Sequence, residues 1–241
     1  MPVFRVNGQL HYYAHVPKCG GSAVETYLAA RFGKLGFLDT RFYAVPERER
    51  WTKSSPQHVL HGDFASLVPS EWIVSSFAVV RHPLKRLVSS FLFQAEKEGT
   101  VPAGWGIDEW VDAFLASAVS DPFQYDNHLR PQSALVPGQA TVFRLEEGLA
   151  PLVAHLDRVA GNREGPREIA HVNEAGDRRG EARNATPSRE TLDKVIAYYA
   201  ADFRRFGYDP DSVDLTKPRP AGTGSGTGLF RRIAARLGGR T

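Results

Sequence analysis

The stretch "HYYAHVPKCGGSAVETYL", residues 11–28, constrains the fold more than any other part of the chain. A run of aromatic and β-branched residues ends at Val16. Pro17, Lys18, Cys19 and a glycine pair follow, and then Val24, Tyr27, Leu28 and Phe32 fall at the spacing of one helical face. A strand, a tight loop and a helix in that order place free backbone N–H groups and the positive end of a helix dipole above the loop, where an anion is stabilised. "SAVE" fits a capping box, with Ser22 as N-cap and Glu25 three residues on. Gly20 and Gly21 would let a phosphate approach the backbone without a Cβ in the way. Ser22 could donate its hydroxyl proton to that phosphate, and Lys18 could supply charge. The order is not that of the common nucleotide loop, in which the glycines precede a Lys-Ser/Thr pair.

A second unit repeats the pattern. "SFAVV" (76–80) reads as a buried strand, "RHP" as a turn, and Leu84, Leu87, Val88 and Phe91 as one helical face, with Pro83 near the helix start where its missing N–H costs nothing. Arg81 sits at the strand end and offers a planar fork suited to phosphate. Arg86 and Ser89 are three residues apart and are expected to project together. Two anion-seeking groups thus stand at the carboxyl ends of two expected parallel strands, where such sheets bind ligands.

The remaining elements follow the same alternation. Val3–Val16 is split by Asn7-Gly8, a hairpin signal. Helices are expected over Trp110–Val119 and Leu149–Ala160, and a strand over 140–147. Ser188 is expected to cap a helix carrying Leu192, Val195, Ile196, Tyr199 and Phe203 on one face, and 161–190 reads as a long polar loop. The fold class is α/β, with a mostly parallel central sheet flanked by helices. One folded domain spans 1–212, and 213–241 forms a flexible basic tail.

The tail's five arginines, Arg219, Arg231, Arg232, Arg236 and Arg240, set against a whole-chain net charge of +3, leave the body near −2. A basic nucleic-acid-binding body is therefore excluded. Leu229, Phe230, Ile233 and Leu237 would fall on one side of a short tail helix, which could give weak peripheral contact with an anionic membrane. The single cysteine excludes an internal disulfide framework and fits a reducing compartment. With no apolar run long enough to span a bilayer, the chain reads as cytoplasmic. No His/Cys grouping has metal-ligand spacing, so no metal is expected. The second strand ends in Arg81 rather than an acid, so a nucleotide kinase-like phosphotransferase, which needs an acid there for Mg²⁺, is the weaker alternative. A non-catalytic nucleotide- or glycan-binding protein is another.

"HVPKCGGSA" and "RHPLKRLVSSF" together resemble the two cofactor motifs of the PAPS-dependent sulfotransferases, in particular the carbohydrate (family 2) branch. PAPS is 3′-phosphoadenosine 5′-phosphosulfate. The first is similar to that family's Pro-Lys-x-Gly-Gly-Thr/Ser loop. The second carries all five fixed positions of Arg-x-Pro-x-x-Arg-x-x-Ser-x-Phe. "DNHLRPQ" (126–132), "VFRLEE" (142–147), "HVN" (171–173) and "YYAADFRRFGY" (198–208) extend the likeness. The resemblance implies a P-loop-NTPase-like sulfotransferase fold that moves a sulfuryl group from PAPS to a hydroxyl acceptor, on a glycan or glycolipid, without metal. It implies that Lys18 contacts the bridging oxygen and that Gly20, Gly21, Ser22 and Ala23 hold the 5′-phosphate. It further implies that Arg81 and Ser89 hold the 3′-phosphate, with Arg86 supporting that end.

A hydroxyl acceptor also needs a proton acceptor. "HVLHGDF" (58–64) lies between the motifs, where related enzymes place a catalytic histidine or acid. His61 and Asp63 both suit, and the order of ordinary pKa values favours His61 as the base, with Asp63 positioning it or the acceptor. His128 is a further histidine that could face the acceptor. His15 reads as structural, and "DRRG" (177–180) as a solvated charged loop.

Overall fold

The computed structural model describes residues 1–170 and 184–215. The "HVN" and "DRRG" segments and the tail from 216 onward lie outside the described residues. Strands β1 (Val3–Val6) and β2 (Gln9–Ala14) form an antiparallel hairpin with Val3 opposite Tyr12 and Val6 opposite Gln9. Asn7 (φ 50) and Gly8 (φ 83) are both left-handed, as a two-residue hairpin turn of this twist requires. Helix α1 (Gly21–Phe32) follows β2, and α2 (His61–Leu67) precedes β3 (Ile73–Val80). Helix α3 (Pro83–Phe93) leaves β3 and runs into a π-helical turn over Gln94–Glu98. Then come α4 (Ile107–Ser117), the one-turn α5 (Gln132–Leu135), β4 (Thr141–Arg144), α6 (Ala150–Ala160), α7 (Arg189–Tyr198) and α8 (Ala200–Phe206).

The sheet order is β1-β2-β3-β4, with β2, β3 and β4 parallel. Helices cover both faces because neighbouring strand residues point oppositely. Phe4 stacks on Phe32 of α1, and Phe77 and Phe143 meet His155 of α6. The other face carries Tyr12, stacked at 4.4 Å on Phe64 of α2. A second core is built from α3, α4, α7 and α8, with Val101 and Leu129 added from the connections, around the fully buried Trp110. The mixed α/β architecture with a sheet flanked by helices is as the alternation of apolar runs predicts. Among the described residues no helix is long and apolar enough to cross a membrane.

Two local expectations are corrected. Ser188 caps α7 by accepting the Thr191 N–H, but the helix does not run on unbroken to Phe203. It breaks at Tyr199 (φ −96, ψ 18), whose hydroxyl donates to Leu129 O at 2.9 Å. Ser22 is not the N-cap of α1. That position is Gly20, at φ 81, and Glu25 turns away to bond His15 Nδ1 at 2.5 Å.

Candidate active site

The loop between β2 and α1 holds two left-handed residues, Lys18 (φ 66) and Gly20 (φ 81). Glycine takes that conformation freely, whereas for Lys18 it costs about 1–2 kcal/mol. The loop's first backbone hydrogen bonds come from the N–H groups of Ala23 and Val24, both to Gly20 O. Among the described residues nothing accepts from the N–H groups of residues 19–22, so four donors remain at the helix mouth. Gly21 has a different reason to be glycine. A Cβ there would lie 1.8 Å from His15 Nε2, so the missing side chain makes room for a buried imidazole rather than for a ligand. Ser22 is exposed, Ala23 is buried, and the Cys19 thiol is fully buried and pushed up to about 12 by burial, which makes it unreactive.

The two strand ends meet. Arg81 Nη1 donates to Lys18 O at 3.3 Å. Gln132 ties the loops further: its Oε1 accepts from Arg81 N (3.0 Å) and the Cys19 thiol (3.5 Å), and its Nε2 donates to Arg81 O (2.9 Å). Gln132 is itself fixed by Asp202, a fully buried carboxylate that accepts from the N–H groups of Gln132 and Ser133 at 2.8 Å each. The Lys18 ammonium lies 3.8 Å from the centre of the Phe93 ring. Burial, then the neighbouring Arg81 charge, lower its pKa to about 8.

Arg86 corrects the expectation that it faces a ligand together with Ser89. Its side chain is wholly buried, with Nη1 donating to His128 O at 2.7 Å and Nη2 to Arg130 O at 2.6 Å. Ser89 is half-buried, and no described residue hydrogen-bonds its hydroxyl. Arg86 therefore clamps a strained segment. Tyr125, Asp126 and Asn127 stand at φ 52, 53 and 62 in succession, a left-handed run that costs about 1–2 kcal/mol per residue.

What that strain presents is a cluster that local sequence spacing does not reveal. Asp126 Oδ2 accepts from His58 Nδ1 (2.6 Å), Ser55 Oγ (2.6 Å) and the Tyr43 hydroxyl, and its Oδ1 accepts from Ser55 N (2.5 Å). Burial alone would raise this carboxyl, but His58 and the converging donors outweigh it and hold it well below the usual range. The His58 ring packs edge-on between His15 (4.8 Å) and His128 (5.0 Å). His128, buried, is held far below its ordinary pKa first by burial and then by the neighbouring His58 ring. His58, Asp126 and His128 offer ligand atoms within 4.8 Å of one another. Beside them opens a cavity of about 570 Å³, lined by Phe42, Tyr43, Phe93, Phe123, Asp126 and His128 among others.

His61 and Asp63 stand apart from this constellation. Asp63 is exposed on α2. The His61 ring lies 6.4 Å from that of Tyr12, its Nδ1 is buried without a partner, and burial, then Arg205, lower its pKa. Among the described residues, no hydrogen bond or ion pair joins either of them to Lys18 or Arg81.

The arrangement can hold a polyanion at the α1 mouth, place one lysine against its reacting end, and leave a polar, aromatic-walled space beside it. A family model described as "Sulfotransferase family" matches residues 6–209. No curated protein and no solved structure matches the chain.

Proposed function

The chain belongs to the sulfotransferase family, and we propose that it moves a sulfuryl group from PAPS to a hydroxyl of a carbohydrate acceptor. The observation that carries the proposal is the junction of the two strand ends. Lys18 and Arg81 are held in contact beside four unused N–H donors, an anion site in which the end of β3 carries an arginine rather than an acid. In this reading the loop over residues 17–23 works as a P-loop-like 5′-phosphosulfate cradle, with Gly20, Gly21 and Ser22 contributing N–H groups and Ser22 its hydroxyl, while the Ala23 N–H, expected to join them, is already given to Gly20 O. Arg81 and Ser89 hold the 3′-phosphate.

The chemistry is an in-line displacement in which positioning and charge neutralisation do most of the work. Lys18 would stabilise the bridging oxygen as it departs with adenosine 3′,5′-bisphosphate, a role that elsewhere falls to a metal ion. The cavity beside Phe93 supports a polar ring-shaped acceptor, since aromatic walls stack on sugar faces while Arg50, Lys53 and Glu98 supply polar contacts. The test is transfer of ³⁵S-sulfate from labelled PAPS to a panel of glycans, glycolipids and small alcohols. Label on a carbohydrate hydroxyl is expected. Label on none of the panel, with ATP-dependent phosphorylation instead, would favour the phosphotransferase alternative.

A further inference from the structure

The cluster around Asp126 is not used by the donor site, yet its geometry prepares one imidazole for chemistry. An ionised carboxylate has no proton to give, so the His58–Asp126 contact at 2.6 Å requires the proton on His58 Nδ1. The Nε2 lone pair of His58 is then bare. The hydrogen bonds that described residues make to this ring all fall on Nδ1. The other three donors to Asp126, from Ser55 and Tyr43, keep the carboxylate in place, and Asn127 Nδ2 donates to His58 O at 2.9 Å. The neighbouring histidines are differently placed. His15 is engaged by Glu25 and packs on Gly21. His128 faces Gln94 Nε2 through its Nδ1 at 3.5 Å, which puts its own proton on Nε2. His15 holds the same tautomer against Glu25, but its Nε2 is packed against Gly21, so of the two carboxylate-bound imidazoles only His58 has an Nε2 not pressed on that loop. Its ring packs edge-on against His128, one of the residues that line the cavity, and its Nδ1 partner Asp126 is another.

We propose that His58, rather than His61, takes the proton of the acceptor hydroxyl, and that Asp126 is the positioning residue that fixes its tautomer. The inference rests on the sulfotransferase reading. As the acceptor oxygen forms its bond to sulfur, the bond from sulfur to the bridging oxygen breaks, and that electron pair leaves with adenosine 3′,5′-bisphosphate. The hydroxyl proton passes to His58 Nε2, and the imidazolium so formed is stabilised by Asp126. Nothing is oxidised or reduced.

The experiment combines ³⁵S-sulfate transfer from PAPS to 4-methylumbelliferyl glycosides with ¹⁵N spectroscopy of the imidazole rings. Wild-type protein is expected to show His58 protonated at Nδ1 only. His58→Ala is expected to lose at least ~10²-fold in kcat with the thermal shift by adenosine 3′,5′-bisphosphate intact, and added imidazole should restore part of the rate. Asp126→Asn, whose amide would donate to Nδ1 and move the proton to Nε2, is expected to lose a comparable factor. His58→Ala turning over within threefold of wild type would overturn the proposal, as would His61→Ala collapsing while His58→Ala does not. Activity abolished by EDTA and restored by zinc would make the cluster a ligand set and overturn it as well. Wild-type protein that neither binds the bisphosphate nor transfers label would overturn the sulfotransferase reading itself, and the proposal with it.

Discussion

The Lys18 ammonium lies 3.8 Å from the centre of the Phe93 ring, and Phe93 in turn lines the cavity. The cation is thus held on an aromatic face at the border between the anion loop and the acceptor space. An aromatic face stabilises an ammonium by about 0.5–2 kcal/mol without supplying a counter-charge, and among the described residues no carboxylate forms an ion pair with this lysine, so its charge stays available to an anion.

Its lowered pKa, about 8, gives a pH dependence with a definite sign. The ammonium adds attraction for the anion only while protonated, so affinity for adenosine 3′,5′-bisphosphate should fall modestly as pH rises through about 8. Folding stability should move the other way. From pH 8 up to the unfolded value near 10.5 the unfolded chain binds more protons at this site, so stability contributed here rises with pH. Calorimetric titrations between pH 7 and 9.5 on wild type and Lys18→Met check this. A fall that persists in Lys18→Met would assign it to another group.

Lys18→Ala should lower turnover far more than bisphosphate affinity, because its charge is most needed as the leaving group develops. Arg81→Ala should weaken bisphosphate binding by about 1.5–3 kcal/mol, the range for a hydrogen bond to a charged group. Steady-state kinetics with direct binding separates the two. A Lys18 variant that raises KM for PAPS and spares kcat would reverse the assignment.

Gly21→Ala should destabilise the fold by several kcal/mol, about 1–3 from overpacking and more if the His15–Glu25 contact is lost. Because the clash is with His15, the double variant Gly21→Ala/His15→Ala should be more stable than the sum of the single effects predicts. Urea unfolding of the four proteins measures this. Strict additivity would mean that the glycine serves the ligand instead.

Arg86→Met should cost at least about 2 kcal/mol of stability, since two carbonyls of the strained segment lose a charged donor inside the protein. Unfolding midpoints decide it. An unchanged midpoint with lost bisphosphate affinity would put Arg86 back on the ligand.

The strand–loop–helix units were legible because everything that forms them is local: an apolar run, a glycine at a left-handed position, a helical face. So was the Asn7-Gly8 hairpin. Arg86 was misplaced because helical spacing shows which residues share a face but not what that face meets, here the carbonyls of His128 and Arg130. Glu25 satisfied the capping pattern with Ser22, yet a buried imidazole one strand away was the stronger partner. The His58–Asp126 pair joins residues 68 apart, brought together by a left-handed turn at non-glycine residues that no composition rule signals. "DNHLRPQ" was noticed as a whole. The parts played by Asp126 and Gln132 within it emerge only when the 58 and 81 segments fold against it.

The central claim, a metal-free site for a nucleotide with phosphates at both ends, is tested most directly by thermal unfolding in EDTA with and without adenosine 3′,5′-bisphosphate. Ligand at 100 times its Kd should stabilise the protein by about 2.7 kcal/mol, visible as a rise in Tm that is lost in Arg81→Ala. No shift with the bisphosphate, or a shift seen only with ATP and Mg²⁺, would contradict it.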